Sequence, residues 1–263
     1  MELFFRKYGQ GQPLIIIHGL YGSSDNWVGI GKKLAENFEV YIIDQRNHGK
    51  SPHSHEHNYR LLKNDLKDFM DQQGINQAIL VGHSMGGKTA MFFATEFSNR
   101  IKQLIIVDIS PKSYYTTNSS QLLAHNTIIR AMYNIDFYGI KSRQEIDVIL
   151  AKLIPEIRVR QFLLKNVRRQ KSGEFYWGIN IKTIKNELYN IIDGLPDHHP
   201  EIKGFPILFI KGEKSDYIND DDRKVISKIF PFAQIENIPN AGHWVHAEQT
   251  ELFLQKINNF LLE

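Results

Sequence analysis

The sequence predicts an α/β fold in which a mostly parallel central sheet is flanked by helices and carries a helical cap insertion. Two observations lead to this class. Short runs rich in Ile, Val and Leu alternate with helical patterns over much of the chain, which is typical of parallel strands covered on both faces. Between Pro111 and Pro206 this alternation stops, and the apolar spacing is that of amphipathic helices.

The apolar runs predict the strands in chain order. We expect strands at Leu14–Ile17, Val40–Ile43, Ala78–Val81, Leu104–Val107 and Ile207–Ile210, and a last strand within Ala233–Ile238. The C-terminal stretch Glu248–Leu262 has apolar residues at helical spacing and predicts a final helix.

The stretch without apolar runs predicts the division of the chain. We expect residues 112–204 to form the helical cap insertion, and residues 1–111 and 205–263 to form the core. Within Lys112–Lys203 the chain has 14 basic and 9 acidic residues, so the cap is the basic part of a chain whose net charge is only +3. The clearest helical patterns in the cap are Gln144–Leu153 and Arg160–Val167.

The composition excludes several kinds of site. The chain has 263 residues and no cysteine, so disulfide scaffolds, thiolate metal sites and cysteine nucleophiles are ruled out. Its net charge is too small to indicate nucleic-acid binding. The segment Met1–Gln10 lacks the apolar core of a signal peptide, and no apolar run is long enough to span a membrane. We therefore expect a cytoplasmic protein without stable membrane insertion, and the sequence makes no prediction of oligomeric state.

The most informative motif is G-x-S-x-G at Gly82–Gly86, which is centred on Ser84. It lies between the predicted strand Ala78–Val81 and a helical stretch from Gly87 to Phe97. In this strand–turn–helix setting, small residues let the backbone bend sharply and present the serine hydroxyl as a nucleophile. The alternative is an ordinary glycine-rich turn in which Ser84 only caps the helix.

Acyl transfer to a serine also needs N–H donors that stabilise the oxyanion of the tetrahedral intermediate. One donor is expected from the residue after the nucleophile, Met85, and one from the loop after the first predicted strand. In that loop, His18–Ser23, we expect Leu20 to be the donor, with Tyr21 as the alternative. The loop Asp44–Ser51 after the next strand is expected to pin its own conformation rather than take part in the chemistry.

His243 is the predicted general base. It lies in a turn between the last predicted strand and the final helix, and a serine nucleophile in this chain order requires a late histidine. His246 is interpreted as a structural or surface residue. The histidine-rich segment His53–His57 is interpreted as a solvated loop, and we expect no metal site there.

Two aspartates compete for the role of the acid that orients the histidine. Asp108 directly follows the predicted strand Leu104–Val107, and Asp216 lies in the loop after Ile207–Ile210. Both precede His243, and the residues alone leave the choice open.

Several of these motifs together resemble the YbfF-type esterases, which are relatives of the mitochondrial abhydrolase-domain proteins in the α/β-hydrolase superfamily. The resemblance rests on the strings H-G-L-Y-G-S from His18, D-Q-R-N-H-G-K-S from Asp44, G-H-S-M-G-G-K from Gly82, V-D-I-S-P from Val107 and A-G-H-W-V-H from Ala241. It covers nearly all of the predicted core, whereas the cap is less distinctive.

The resemblance implies an α/β-hydrolase fold, esterase or thioesterase activity on acyl substrates, and no cofactor. It also bears on the acid. The loop Gly212–Ile218 resembles a family loop in which Ser215 stands where most α/β hydrolases have aspartate, and the family's acid is thought to be the aspartate of the V-D-I motif. The resemblance thus favours Asp108, although Asp216 is an acidic residue at a position that is usually not acidic in this family.

The expected function is hydrolysis of small-molecule carboxylic esters or thioesters through an acyl-enzyme on Ser84. A further hypothesis is that Arg168, Arg169 and Lys171 steer anionic thioesters such as acyl-CoA, although a solvated helix face explains the same residues. Two alternatives stay open: a lyase of the menaquinone-pathway type, which shares the fold and the serine motif, and a non-catalytic member that only binds a ligand.

Overall fold

The computed structural model describes residues 1–115, 119–196 and 198–262, and in these ranges the chain is built around one seven-stranded sheet. The strands are β1 (Phe5–Tyr8), β2 (Gln12–Ile17), β3 (Phe38–Ile43), β4 (Ala78–His83), β5 (Ile101–Val107), β6 (Val167–Arg169), β7 (Phe175–Trp177), β8 (Ile207–Gly212) and β9 (Gln234–Ile238). The large sheet has the order β1-β3-β2-β4-β5-β8-β9, with β1 antiparallel to β3 and the other neighbours parallel. Strands β6 and β7 form a separate antiparallel hairpin.

Helices cover both faces of the sheet. They are α1 (Val28–Leu34), α2 (Tyr59–Gln72), α3 (Met85–Glu96), α4 (Ser120–Tyr133), α5 (Arg143–Ala151), α6 (Ile157–Leu164), α7 (Ile181–Asn186), α8 (Leu188–Ile192), α9 (Asp220–Ile229), α10 (Val245–Glu248) and α11 (Thr250–Leu262). Helices α1 and α11 pack on one face of the sheet, where they share an apolar cluster with β2 to β5. Helices α2, α3 and α9 bury their apolar side chains on the other face. In the described ranges, no helix combines the length and the hydropathy that crossing a bilayer requires.

The predicted fold class is confirmed, and each predicted strand of the core lies within an observed one. The central strands are buried almost completely, as expected for continuous apolar runs in a parallel sheet. Strand β1 was not predicted. Its sequence, Phe-Arg-Lys-Tyr, has no apolar run because β1 is an edge strand that pairs only with β3 and stays half exposed.

The region predicted as a helical cap contains α4 to α8, and also the hairpin β6–β7, which the sequence pattern did not predict. The predicted helix Arg160–Val167 corresponds to α6, which ends at Leu164 and leaves Val167 to begin β6. Three-residue strands are too short to show an alternating pattern. The turn between them depends on Gly173, whose φ of 96° is rarely adopted by other residues.

The cap joins the core at two neighbouring segments, 111–114 and 191–195, which we call the neck. Backbone hydrogen bonds from Leu195 to Pro111 (2.8 Å) and from Tyr114 to Ile192 (2.9 Å) pair these segments. The buried ammonium group of Lys88, on α3, donates to the carbonyl groups of Lys112 and Asp193, one in each segment. The neck is thus fastened to the helix that follows β4.

Candidate active site

Ser84 lies at a sharp bend between β4 and α3. Its φ of 53° and ψ of −120° are rare for a residue with a side chain and indicate local backbone strain. The bend requires small neighbours: a Cβ on Gly82 would lie 2.4 Å from the carbonyl oxygen of Gly86, and a Cβ on Gly86 would lie 2.2 Å from that of Ile17. The two glycines of the motif are therefore explained by close backbone approach.

A continuous hydrogen-bonded chain runs from the bend through His243 to Asp108. The Ser84 hydroxyl lies 3.0 Å from Nε2 of His243, and Nδ1 of the same ring lies 2.8 Å from Oδ2 of Asp108. His243 comes from the turn between β9 and α10, far away in the chain. These distances allow the imidazole to take a proton from the serine while the carboxylate fixes its tautomer.

Of the two candidate acids, the structure brings Asp108 to the histidine and leaves Asp216 exposed. Asp108 is fully buried directly after β5, and its Oδ1 accepts a hydrogen bond of 2.9 Å from the N–H of Gly212. The hydroxyl of Ser215 donates to Oδ2, the same oxygen that faces His243. The carboxylate is therefore held by three donors and has little freedom to turn.

The two residues expected to supply oxyanion donors, Leu20 and Met85, line the same small cavity as Ser84. Met85 is the first residue of α3, so its N–H has no acceptor within the helix. Leu20 lies in a tight turn closed by a bond from Gly22 to Gly19, and Tyr21 in that turn has a φ of 61°. A Cβ on Gly19 would lie 3.0 Å from Cβ of Ser84, so this loop is in direct contact with Ser84.

Buried polar residues hold this loop. Nδ1–H of His18 donates to the Gly19 carbonyl group (2.9 Å), and Nε2 accepts from the N–H of Gln45 (3.0 Å). Burial lowers the pKa of His18, which agrees with a neutral ring in this tautomer. Asp44 accepts bonds from the N–H groups of Ser24 and Lys50, as expected for a residue that pins its loop.

The histidine-rich segment is a loop in which His53, His55 and Glu56 are exposed, as predicted, whereas His57 is not. His57 is fully buried: Nδ1 accepts from Asn47 (3.3 Å), and Nε2 lies 3.3 Å from the sulfur of Met85. Burial lowers the pKa of His57 to about 3, so the ring is neutral at physiological pH. Within the ranges that the structure describes, no group of three His, Cys, Asp or Glu residues is arranged to hold a metal ion.

His246 is a buried residue, so of its two predicted roles the structural one applies. Its ring stacks on Trp27 with the centroids 3.9 Å apart, and burial lowers its pKa to about 3. The neighbouring His83 donates from Nε2 to the carbonyl group of His243 (2.8 Å). These neutral aromatic rings fix the backbone of the turn that carries the base.

A small cavity lies beside the Ser84 hydroxyl, under the cap. Its volume is about 20 Å³, which is room for one water molecule. It is lined by Leu20, Tyr59, Ser84, Met85, Lys88, Ile109, Tyr114, Gln121, His125, Ile191, Ile192 and Tyr217. This cavity is too small to hold an acyl chain. A larger cleft of about 250 Å³, lined in part by Gln121, Tyr217 and His243, adjoins the same residues.

Several polar residues of this cavity were missed by sequence reasoning. The ring of Tyr217 stacks on His243 with the centroids 4.0 Å apart, and its hydroxyl lies 3.2 Å from Nε2 of His125. Burial lowers the pKa of His125 to about 4 and that of Lys88 to about 7. For Lys88 the available signal was a lysine within the otherwise apolar start of a helix, at Met85–Ala90.

Comparison with known proteins gives a consistent family assignment. A family model described as alpha/beta hydrolase fold matches residues 12–250. The sn-1-specific diacylglycerol lipase ABHD11 of Danio rerio is 39% identical over 98% of this chain and 80% of its own length. Esterase YbfF of Escherichia coli is 34% identical over 95% of this chain and 92% of its own length.

Solved structures show the same relationship. A marine microorganism esterase superposes with a TM-score of 0.95 at 46% identity, covering 98% of this chain and 99% of its own. An E-2-(acetamidomethylene)succinate hydrolase superposes with a TM-score of 0.82 at 20% identity, over 99% of this chain and 95% of its own, and shows the fold alone.

Proposed function

Because the chain belongs to the α/β-hydrolase fold family, we propose that it hydrolyses carboxylic esters and thioesters through an acyl-enzyme on Ser84. The observation that supports this most is the hydrogen-bonded chain from Ser84 through His243 to Asp108. Relatives named as an esterase and as a diacylglycerol lipase support ester bonds as the substrate class.

In the proposed reaction, His243 Nε2 takes the proton of Ser84 as Oγ attacks the substrate carbonyl carbon. The oxyanion that forms accepts hydrogen bonds from the N–H groups of Leu20 and Met85. Collapse of this intermediate breaks the bond to the leaving alcohol or thiol, which receives the proton from His243. Water then attacks the acyl-enzyme by the same route, and the acid product leaves with Ser84 restored.

The carboxylate of Asp108 has a defined task in this scheme. It accepts a hydrogen bond from Nδ1–H of His243, which leaves Nε2 free to act as the base, and its charge stabilises the imidazolium ion that forms. Since Asp108 is buried and held by Gly212 and Ser215, the imidazole is oriented before substrate arrives.

The test is a hydrolysis screen with p-nitrophenyl esters and acyl-CoA thioesters of increasing chain length. Ser84→Ala should lower kcat by about 10⁵- to 10⁶-fold, as expected for loss of a triad nucleophile. Ser98→Ala, an exposed serine beyond the end of α3, is the matched control and should keep full activity. Hydrolysis by Ser84→Ala at the wild-type rate, or a fluorophosphonate probe that labels another serine, would refute the proposal.

The same preparation separates the two alternative functions. A menaquinone-pathway type lyase would eliminate from a succinyl-cyclohexene carboxylate and leave simple esters intact. A non-catalytic binding member would neither hydrolyse esters nor react with the fluorophosphonate.

The thioester part of the proposal is that basic residues of the cap attract acyl-CoA, an anionic thioester, toward the site. Arg168 pairs with Asp25 (3.2 Å) and Arg169 donates to the carbonyl group of Gly173, whereas Lys171 is exposed. If these residues steer the anionic thioester, kcat/KM for acyl-CoA should fall with ionic strength more steeply than kcat/KM for a neutral ester. Equal salt dependence of the two substrates would reject steering.

A further inference from the structure

Exposed apolar side chains are concentrated on the cap. Eight of the ten large apolar or aromatic side chains that are exposed in the described residues lie between positions 112 and 203. Scattered exposed apolar residues are normal on a protein surface, but clustering on one element indicates a contact surface. The cap combines this clustering with a basic composition, and both features are typical of a surface that contacts a partner.

Exposed residues on or next to α4, α7 and α8 make up a surface that we call the cap face. It consists of Tyr115, Leu123, Arg130, Tyr133, Lys182, Lys185 and Tyr189. Helix α4 packs against α7. Two further side-chain contacts, one near each end of α4, join this part of the cap to α7 and α8. The Tyr115 and Tyr189 rings meet edge to face at 5.0 Å, and the Lys185 ammonium group lies 3.9 Å above the ring of Tyr133.

These two contacts fix the extent of the cap face. Tyr115 precedes α4 and Tyr133 ends it, so the contacts lie at opposite ends of a helix that is about 21 Å long. Leu123 and Arg130 lie seven residues apart on the exposed side of α4, between the two ends. Tyr115, Leu123 and Tyr189 are each more than half exposed, at 57%, 58% and 59%.

The charge of the cap face is predominantly positive. Helices α4, α7 and α8 contain Arg130, Lys182 and Lys185, all exposed, whereas the partly exposed carboxylate of Glu187, between α7 and α8, accepts a hydrogen bond of 2.6 Å from Asn190. Among the salt bridges of the part of the chain that the structure describes, none includes any of these three cations. Three basic groups beside exposed tyrosines are complementary to an anionic surface that also accepts aromatic rings.

The opposite side of the same helices faces the cavity beside Ser84. Gln121 and His125 on α4, and Ile191 and Ile192 on α8, line that cavity. A surface that binds the cap face therefore lies against the outer side of helices whose inner side lines the cavity beside Ser84.

We propose that the cap face docks onto an anionic lipid surface, with its tyrosines and Leu123 at the headgroup level and its cations beside lipid phosphates. The consequence for the substrate rests on the proposed function: if the protein is an esterase, acyl lipids held in the membrane are the esters that reach Ser84. A second copy of this chain is the less favoured occupant. In a two-fold contact through the cap face, Arg130, Lys182 and Lys185 would meet the same positive charges on the other copy.

The experiment measures binding of the full-length protein to vesicles by flotation. Wild-type protein should bind vesicles of phosphatidylcholine with phosphatidylglycerol, bind pure phosphatidylcholine weakly, and dissociate at high salt. The variant Arg130→Glu/Lys182→Glu/Lys185→Glu should bind the anionic vesicles at least about 100-fold more weakly. The matched control Lys32→Glu/Lys33→Glu/Lys102→Glu makes the same charge change on exposed core residues and should keep most of the binding.

Two further readouts keep docking separate from catalysis. Ser84→Ala should bind anionic vesicles like the wild type, and the triple cap variant should hydrolyse a water-soluble p-nitrophenyl ester at the wild-type rate, which also shows that it is folded. The proposal is overturned if the wild type does not bind anionic vesicles, or if both triple variants lose binding equally. It is also overturned if light scattering shows a dimer that only the cap variant disrupts and no vesicle binding occurs.

Discussion

Asp108→Asn tests the assignment of the acid with a nearly isosteric change. Oδ1 of Asp108 accepts from the N–H of Gly212, and Oδ2 accepts from both Ser215 and His243. An asparagine must keep its oxygen toward Gly212, because its NH₂ group would otherwise meet that N–H. The NH₂ group then lies in the Oδ2 position and donates to Nδ1 of His243.

This reversal changes the tautomer of the base. With Nδ1 acting as an acceptor, the neutral ring carries its proton on Nε2, so it cannot take the proton of Ser84. The expected loss in kcat is about 10⁴-fold, by the precedent for a triad aspartate, which is about 5 kcal/mol of transition-state stabilisation. We would measure kcat and KM with a p-nitrophenyl ester, and expect KM to change little because Asp108 does not line the cavity.

Asp216→Asn is the matched control. Asp216 is exposed, and its backbone carbonyl group accepts from Gln121, so the substitution should leave kcat within about 2-fold of the wild type. A 10⁴-fold loss in Asp216→Asn together with an active Asp108→Asn would refute the assignment, even with the observed distance between Asp108 and His243.

Three further predictions follow from single contacts. Ser215→Ala removes one donor from the acid and should lower kcat roughly ten-fold, measured with the same ester. Gly86→Ala places a Cβ 2.2 Å from the carbonyl oxygen of Ile17 and should lower the free energy of unfolding in urea by about 1–3 kcal/mol or more. Burial holds the pKa of Lys88 at about 7 against 10.5 for an ordinary lysine, so between these pH values the unfolded chain binds one more proton. The stability of the wild type relative to Lys88→Met should therefore rise by up to about 1.4 kcal/mol per pH unit from pH 7 to 10 in urea titrations, and a flat difference would contradict the lowered pKa of Lys88.

The parts of the fold that the sequence predicted are those in which one local property decides the structure. Central strands such as Leu104–Val107 are buried on both faces, so every residue in them is apolar and the run stands out. The bend at Ser84 needs residues without a Cβ at positions 82 and 86, and the two glycines of the motif meet this requirement. Strand β1 and the hairpin β6–β7 are short or half exposed, and their sequences do not differ from those of loops.

The burial of polar residues could not be predicted, because it depends on partners that are distant in the chain. His57 was expected in a solvated loop, but it is buried. Its two ring nitrogens contact Asn47 and the sulfur of Met85 in place of water. The motif that contains Lys88 does not indicate what this lysine does. Its ammonium group binds the carbonyl groups of residues 112 and 193, which are 81 positions apart in the chain and meet only in the folded structure.

The choice between the two acids was ambiguous for a geometric reason. Strands β5 and β8 are parallel neighbours with Val107 beside Ile210, so the loops that follow them emerge side by side and both reach His243. Asp108 and Ser215 in these loops meet at one carboxylate oxygen. A carboxylate is needed at only one of the two positions, and the other position is best filled by a hydrogen-bond donor.

This arrangement predicts that the acid can be moved from one strand end to the other. Asp108→Ala should remove the orienting carboxylate, and adding Ser215→Asp should place a new one where the serine hydroxyl now lies, close to the vacated Oδ2 position. We expect Asp108→Ala/Ser215→Asp to recover kcat by at least about 10-fold over Asp108→Ala, because a carboxylate from the neighbouring loop can again accept a hydrogen bond from Nδ1–H of His243. The control Asp108→Ala/Ser215→Asn has the same shape without the charge and should not recover. Equal activity of the two double variants would mean that the histidine is oriented by its packing against Tyr217 and His83 rather than by a carboxylate.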